Sequence, residues 1–286
     1  MNIQNISMEF SLEFEIGILD YRNIIKVIKE TYDYDFSDFA LTSLKRRFER
    51  IIQLHNLKHT DLLIERLRED KVFFQIFLQE IAVESTEMFR DPSLWRYLRD
   101  DLLPTIFKDN YKPKIWLPHC VAGDELYSLA IVLKEMGLIN NTEIIATCLN
   151  DLIIDFINSG AFRHYKTETS NENYARYQGT GKLADYYQVR GEQAFRDSSL
   201  IKNVHFMKQN INFDNSPQDI KLILYRNQLI YYTQGLHDRI LKVLYDSLIS
   251  GGHLILGTKE QVGMICSKYF KLVNEAESVY KKDIER

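Results

Sequence analysis

Beyond about residue 110 the chain alternates short apolar runs with amphipathic stretches, and this rhythm restricts it to few folds. KIWLPHC is an apolar run, and VAGDELYSLAIVLKEMG is a helix pattern that begins near Gly123 and ends at Gly137. EIIATCL is a β-branched run, and DLIIDFINSG is a helix pattern closed by Gly160. VHFMKQNI, the apolar KLILY, a helix pattern over GLHDRILKVLYDSLIS and the strand GGHLILGT continue the alternation. Strand and helix in turn predict an α/β domain with a parallel, doubly wound sheet. FKLVNEAESVYKK reads as two short strands around a polar turn. Residues 163–200, polar and Tyr-rich with Gly179, Gly181 and Gly191, are too long for a simple connection and predict a subdomain or lid.

The first 82 or so residues read as helices without a strand. In LTSLKRRFERII, Leu41, Leu44, Phe48, Ile51 and Ile52 form one apolar stripe, with Arg46 and Arg50 opposite and Lys45 and Arg47 on the flanks. TDLLIERLRED starts with Thr60 as its expected N-cap and has Glu65 and Arg68 three apart. KVFFQIFLQEIAV is apolar at Val72, Phe73, Ile76, Phe77, Leu78 and Ile81. The expected organisation is an N-terminal helical domain over 1–82, a linker over 83–95 and an α/β domain over 96–286, interrupted by a β subdomain near 163–200.

The 286 residues carry 36 Lys and Arg against 40 Asp and Glu, a net charge of −4, which argues against a nucleic-acid binder. Cys120, Cys148 and Cys266 lack CxxC spacing and fit free thiols in a reducing compartment. A metal site from His119, Cys120 and Cys148 would match zinc spacing poorly, so none is expected. MNIQNISMEFSLEFEI has no cationic region or apolar core of a secretory signal, and no apolar run approaches the roughly 20 residues of a membrane span. The expectation is a soluble, cytoplasmic chain without membrane insertion, monomeric by default.

Three constellations offer chemistry. In an open α/β sheet, ligands bind at the carboxyl ends of strands, and the first strand–loop–helix is KIWLPHCVAGDELYS. Gly123 there admits a close ligand approach and the helix start favours an anionic or polar group, although one Gly before a helix is more often ordinary turn chemistry. The dinucleotide fingerprint GxGxxG is absent. STEMFRDP, residues 85–92, has Thr86, Arg90 and Asp91 in a linker whose Met88 and Phe89 pack inward. Its bland reading is a helix terminus with Arg90 and Asp91 solvated and Pro92 opening the next helix. YRNQLIYY, residues 225–232, places Arg226 and Asn227 at the exit of the strand KLILY, a position equally open to a pocket or to simple packing.

Taken in order, TEMFRDP, IW..HC.AGDE.YSLAI, IIAT.LND, YRNQLIYY and GGHLILGT.E resemble the CheR-type chemotaxis receptor methyltransferases, from about Asp35 to the carboxyl end. The family usually reads TxFFRDP, IWxAGCSTGEEPYSLAI, ATDI, CRNVLIYF and PGGxLxLGxSE. The resemblance implies a helical N-terminal domain and a Rossmann-like methyltransferase domain holding a small inserted β subdomain. It also implies transfer of a methyl group from S-adenosylmethionine, leaving S-adenosylhomocysteine, to glutamates of the cytoplasmic helical domain of chemoreceptors. By similarity, Arg90 matches the active-site arginine and Tyr231 the tyrosine beside the methyl group. Thr86, Asn210, Arg226 and Asn227 match cofactor contacts, Gly123 and Glu125 match the GEE turn, and Cys148 stands at the position of the acid that accepts from the ribose. Arg46 and Arg50 correspond to the helix that docks on receptors, where an acidic helical partner would suit them.

The departures from the pattern fall on the cofactor loop. His119 replaces a Gly and is expected to crowd the methionine or ribose portion, and Ala122 replaces a Thr. Cys148, a weak acceptor, replaces the ribose-binding acid, which predicts a loss of about 1.5–3 kcal/mol unless Asn150 or Asp151 substitutes. Glu84 adds negative charge where an Asn is usual; Ser250 and Lys221 are tolerable replacements. Two readings therefore stay open: a protein-glutamate O-methyltransferase with a variant pocket, or a degenerate relative that binds a receptor or signalling partner without methylating it.

Overall fold

The computed structural model describes residues 15–82, 86–109, 112–210 and 213–282. Glu84 lies outside the described residues. The chain divides into two compact units, one ending at Ile81 and one starting at Ala82.

The first unit contains α1 (Ile18–Tyr32), α2 (Leu41–Leu54), α3 (Thr60–Glu69) and most of α4 (Lys71–Ala82). Ile24, Ile28, Leu44, Phe48, Leu63, Leu67, Phe73 and Phe77 are buried between them. Tyr32 stacks on Phe74 with ring centroids 3.6 Å apart, and its hydroxyl donates to the Leu67 carbonyl at 2.6 Å. Arg46 and Arg50 are exposed on α2, whereas Lys45 pairs with Glu15 and Glu49. Three expectations need correction here. Leu41, at the first turn of α2, and Val72, at the first turn of α4, are exposed, because helix starts lie beyond the packed face. Thr60 is the first helical residue of α3 rather than its cap; His59 holds the cap position and gives no side-chain hydrogen bond.

The second unit opens with α5 (Pro92–Tyr97), which passes through a π turn at Leu98–Leu102 into α6 (Leu103–Ile106). Pro92 sits in the first turn of α5, where its missing N–H costs nothing. The sheet follows: β1 (Lys114–Leu117), α7 (Asp124–Glu135), β2 (Glu143–Cys148) and α8 (Asp151–Ser159). An insertion holds β3 (Ala161–Arg163), α9 (Lys166–Tyr177), β4 (Tyr187–Arg190) and β5 (Gln193–Arg196). The chain then returns through β6 (His205–Lys208), β7 (Ile220–Leu224), α10 (Gln234–Ser247), β8 (Leu248–Ile255), β9 (Phe270–Asn274) and β10 (Val279–Lys282).

The seven-stranded sheet runs β6-β2-β1-β7-β8-β10-β9. Its first five strands are parallel, while β10 and β9 are antiparallel, so the sheet is mixed. The inserted strands form a separate antiparallel sheet, β3-β5-β4. Strand order reverses between β1 and β7, and the crevice beyond their carboxyl ends is where such sheets bind ligands. Within the insertion, α9 buries Tyr174 and Tyr177 in the main core beside Phe89, Trp95, Leu126 and Leu133. A lid is thereby excluded for this helix, since its side chains complete the core. Among the described residues, no helix is long and apolar enough to cross a membrane.

His253 on β8 is buried and its Nδ1 has no hydrogen-bond partner among the described residues. Burial, helped by Lys221 and Lys281, lowers its pKa to about 4. The unfolded chain, with a histidine pKa of about 6.5, takes up this proton first. The contribution is thus complete above pH ~6.5 and is lost as the pH falls toward 4. His253→Gln should lower the slope of unfolding free energy against pH in that window by up to one proton, about 1.4 kcal/mol per pH unit. Urea titrations at pH 4.5, 5.5 and 6.5 measure it; an unchanged slope would assign the proton uptake elsewhere.

Candidate active site

At the switch point, Leu117–Glu125, Arg226–Gln228, Thr86 and Arg90 line a cleft of about 550 Å³, part of it open to solvent. It draws together six of the residues selected from sequence: Thr86, Arg90, Gly123, Glu125, Arg226 and Asn227. Gly123 caps α7 with φ +77°, and a Cβ there would meet Ile157 Cγ2 at 3.2 Å, so the turn needs glycine.

Arg226 is the electrostatic centre. Its side chain is fully buried; Nη1 donates to Glu125 Oε1 at 2.6 Å and Nη2 to the Asp91 carboxylate. Its Nε–H has no acceptor among the described residues. Burial pushes the Glu125 carboxyl above the usual carboxylate range, while Arg226 and Arg90 pull it back. Asp91 is therefore not merely solvated, as a bare helix terminus would have it, but a partly exposed ion-pair partner of Arg226. Arg90 itself is half-buried, and among the described residues its guanidinium makes no hydrogen bond or ion pair.

The backbone around the cleft is unusual. Phe89, Asp91, His119 and Asn227 have φ of +55°, +56°, +48° and +58°. Such conformations cost of order 1–3 kcal/mol each in non-glycine residues and persist only where surrounding structure over-determines them. Arg90 stands between two of them.

His119 does not project as a free ring. Its ring lies 4.4 Å from that of Phe213, its Nε2 is 3.4 Å from the Asn210 carbonyl oxygen, and burial lowers its pKa to about 4. It lines the cleft as a neutral aromatic wall. A buried chain supports it: the His119 N–H and Trp116 Nε1 donate to Thr147 Oγ1 at 3.3 and 3.2 Å, and Thr147 donates to Gln209 Oε1 at 2.8 Å.

Cys148, Asn210 and Tyr231 are not among the lining residues. Cys148 ends β2 fully buried, with burial raising its thiol pKa. Asn150 caps α8 by accepting from the Ile153 N–H at 3.0 Å, and Asp151 is exposed and paired with Lys208 at 3.0 Å. Tyr231 is half-buried, in the short helical turn Leu229–Tyr231 that follows β7.

Two supports escaped the sequence reading. Glu260 is buried, and its Oε2 accepts from the Asn227 and Gly257 N–H groups at 2.8 Å each, its Oε1 from Ile230 N–H at 3.3 Å, pinning the Arg226–Tyr231 segment. Its signal was the final residue of GGHLILGT.E. Asp124, at the start of α7, pairs with buried Arg196 of the insertion and lies 3.9 Å from Lys166 Nζ. Burial raises its pKa, and Arg196 and Lys166 oppose the rise. Among the described residues, no cluster of His, Cys, Asp or Glu could hold a metal.

Residues 84–279 match the family pattern described as "CheR methyltransferase, SAM binding domain", and residues 19–82 match "CheR methyltransferase, all-alpha domain". A Pseudomonas putida protein named methyltransferase Cher3 is 32% identical over 92% of this chain and 97% of its own length. The chemotaxis protein methyltransferases of Listeria innocua and Listeria monocytogenes are 28% and 26% identical, each over 85% of this chain and 90% of theirs.

Proposed function

Since the chain belongs to the CheR methyltransferase family and is an S-adenosylmethionine-dependent methyltransferase, we propose that it methylates glutamate carboxylates on the cytoplasmic helices of chemoreceptors, with Arg90 orienting the acceptor. The observation that carries this reading is the convergence of Arg90, Glu125 and Arg226 on one cleft at the switch point. The reading of a relative that only binds a partner is not favoured, because the family match spans the whole methyltransferase domain.

The residues fit the amino-acid end of S-adenosylmethionine. Glu125 suits its ammonium, and the unsatisfied Nε–H of buried Arg226 suits its carboxylate. Thr86, Gly123 and Asn227 would complete that part of the wall, with Asn210 and Cys148 toward the nucleoside. Along the cleft wall the neutral imidazole of His119 stands near this site, while the Cys148 thiol stays buried behind it. When bound, the cofactor supplies a methyl group activated by its sulfonium.

The chain's own residues have little proton chemistry to perform. A glutamate carboxylate is already ionised at neutral pH, so no general base is required. Alignment is the main contribution, worth roughly 7–11 kcal/mol in well-oriented systems. A guanidinium orients a carboxylate through two parallel hydrogen bonds, and Arg90 has no competing ion pair among the described residues. Tyr231 would bound the methyl group from the β7 side.

Calorimetric titration with S-adenosylmethionine and S-adenosylhomocysteine, followed by transfer of labelled methyl to a chemoreceptor fragment, tests the proposal. Micromolar binding and label on receptor glutamate are expected. Binding without labelled receptor would overturn the substrate, and no binding at millimolar ligand would overturn the site.

Exposed Arg46 and Arg50 on α2 would dock an acidic receptor helix. Arg46→Glu with Arg50→Glu should raise KM for the receptor about tenfold, steeply dependent on salt, and leave cofactor affinity unchanged. Steady-state kinetics at 50 and 300 mM salt would show it; an unaltered KM would remove α2 from the interface.

A further inference from the structure

The insertion carries a polar helix with no assigned part in the reaction. One face of α9 is directed at the segment that presents Arg90. Lys166 Nζ donates to the Thr86 carbonyl at 2.7 Å. Ser170 Oγ accepts from the Met88 N–H at 3.4 Å, and Asn173 Nδ2 donates to the Met88 carbonyl at 3.2 Å. Both polar groups of the Met88 backbone are therefore held by one helix. The next residue, Phe89, has its ring 5.0 Å from Tyr174 and 4.8 Å from Tyr177, also on α9. The spacing 166, 170, 173, 174, 177 is a single helical stripe.

The helix is itself fixed at both ends of α7. Near the start, Lys166 lies against Asp124. Near the end, Glu135 accepts from the hydroxyls of Tyr174, Tyr177 and Tyr186, the second at 3.0 Å and the third at 3.3 Å. Arg99 adds hydrogen bonds to the carbonyls of Tyr177 and Gln178 at 3.2 and 2.8 Å, closing the carboxyl end of α9. A helix anchored in this way can impose left-handed backbone on Phe89, which a bulky side chain otherwise avoids.

Resting on the reading of Arg90 as the residue that orients the acceptor, we infer that α9 sets the position of its guanidinium, making Lys166, Ser170 and Asn173 positioning residues for methyl transfer. None of the three lines the cleft. Their effect passes through the backbone of 86–91. A displacement of about 1 Å at a reacting group can cost on the order of a hundredfold in rate, so loosening this grip should act on kcat.

The variants are Asn173→Ala, which removes the donor, and Lys166→Met, which keeps the stem at a partly exposed site and serves if the first fails to fold. Each should lower kcat about tenfold while the Kd for S-adenosylmethionine by calorimetry stays within threefold. In an Arg90→Ala background the same changes should lower kcat less than twofold, because residues acting as a unit are not additive. A merely structural role predicts equal losses in both backgrounds, and that result would overturn the inference. Amide exchange supplies a readout independent of activity. Exchange at Met88, whose N–H is held by Ser170 of α9, should accelerate at least tenfold in the variants, confined to 86–91. Unchanged exchange there overturns the role of α9 whatever the kinetics. If Arg90→Ala alone leaves kcat intact, the reading of Arg90 fails, and the exchange result still decides whether α9 holds the segment.

Discussion

Arg90→Ala is expected to lower kcat for receptor methylation by about a hundredfold or more, with cofactor affinity changed by less than threefold. The magnitude is that of removing one preorganised charged donor from a reacting centre, roughly 10²–10³ in rate. Arg90→Lys should recover little, since an ammonium cannot hold both carboxylate oxygens in one plane. Single-turnover kinetics with saturating receptor fragment separate the chemical step from docking. A change confined to KM would show that Arg90 binds the acceptor without aligning it.

Arg226→Met is expected to destabilise the protein by about 3–5 kcal/mol, because it leaves the carboxylates of Asp91 and Glu125 without their buried partner. Burial already raises the Glu125 carboxyl, and loss of the guanidinium would raise it further. A carboxyl whose folded pKa exceeds its unfolded value gains stability as the pH falls, so the deficit should be larger at pH 8 than at pH 5. Combining Arg226→Met with Asp91→Asn and Glu125→Gln should restore much of the loss, since a neutral cluster strands no charge. Urea unfolding of the single and triple variants at both pH values measures all three statements. A deficit independent of pH would mean that the ion pairs contribute little and packing dominates.

How much of this was legible in sequence depends on how locally each feature is encoded. The strands β1, β2, β7 and β8 are runs of apolar residues, and Gly123 and Gly160 mark helix ends, so the sheet could be read. β9 and β10 were also readable as two strands around a polar turn, but the antiparallel seating of β10 on β8 was not, since that pairing joins distant stretches of chain. α9 was invisible as a helix because its buried face is mainly polar, with Thr167, Ser170 and Asn173 beside Tyr174 and Tyr177. Hydrogen bonds to backbone replace the apolar stripe that periodicity detects. The six lining residues fell in strand exits and turns already selected. Asp91, by contrast, looked solvated because its partner lies 135 residues away, and Glu260 works through backbone amides that leave no trace in composition.

The left-handed residues on either side of Arg90 limit how this domain can be recombined. The backbone of 86–91 is supported by hydrogen bonds and ring contacts that come from within the insertion. The insertion is therefore not a detachable module. Exchanging it for the corresponding segment of a relative would carry away the support for the loop, and a chimera could keep a sound sheet and bound cofactor yet transfer methyl poorly. Redesign of this segment should accordingly treat α9 as part of the active-site framework, and confine changes to the exposed Gln188, Val189 and Arg190 of β4.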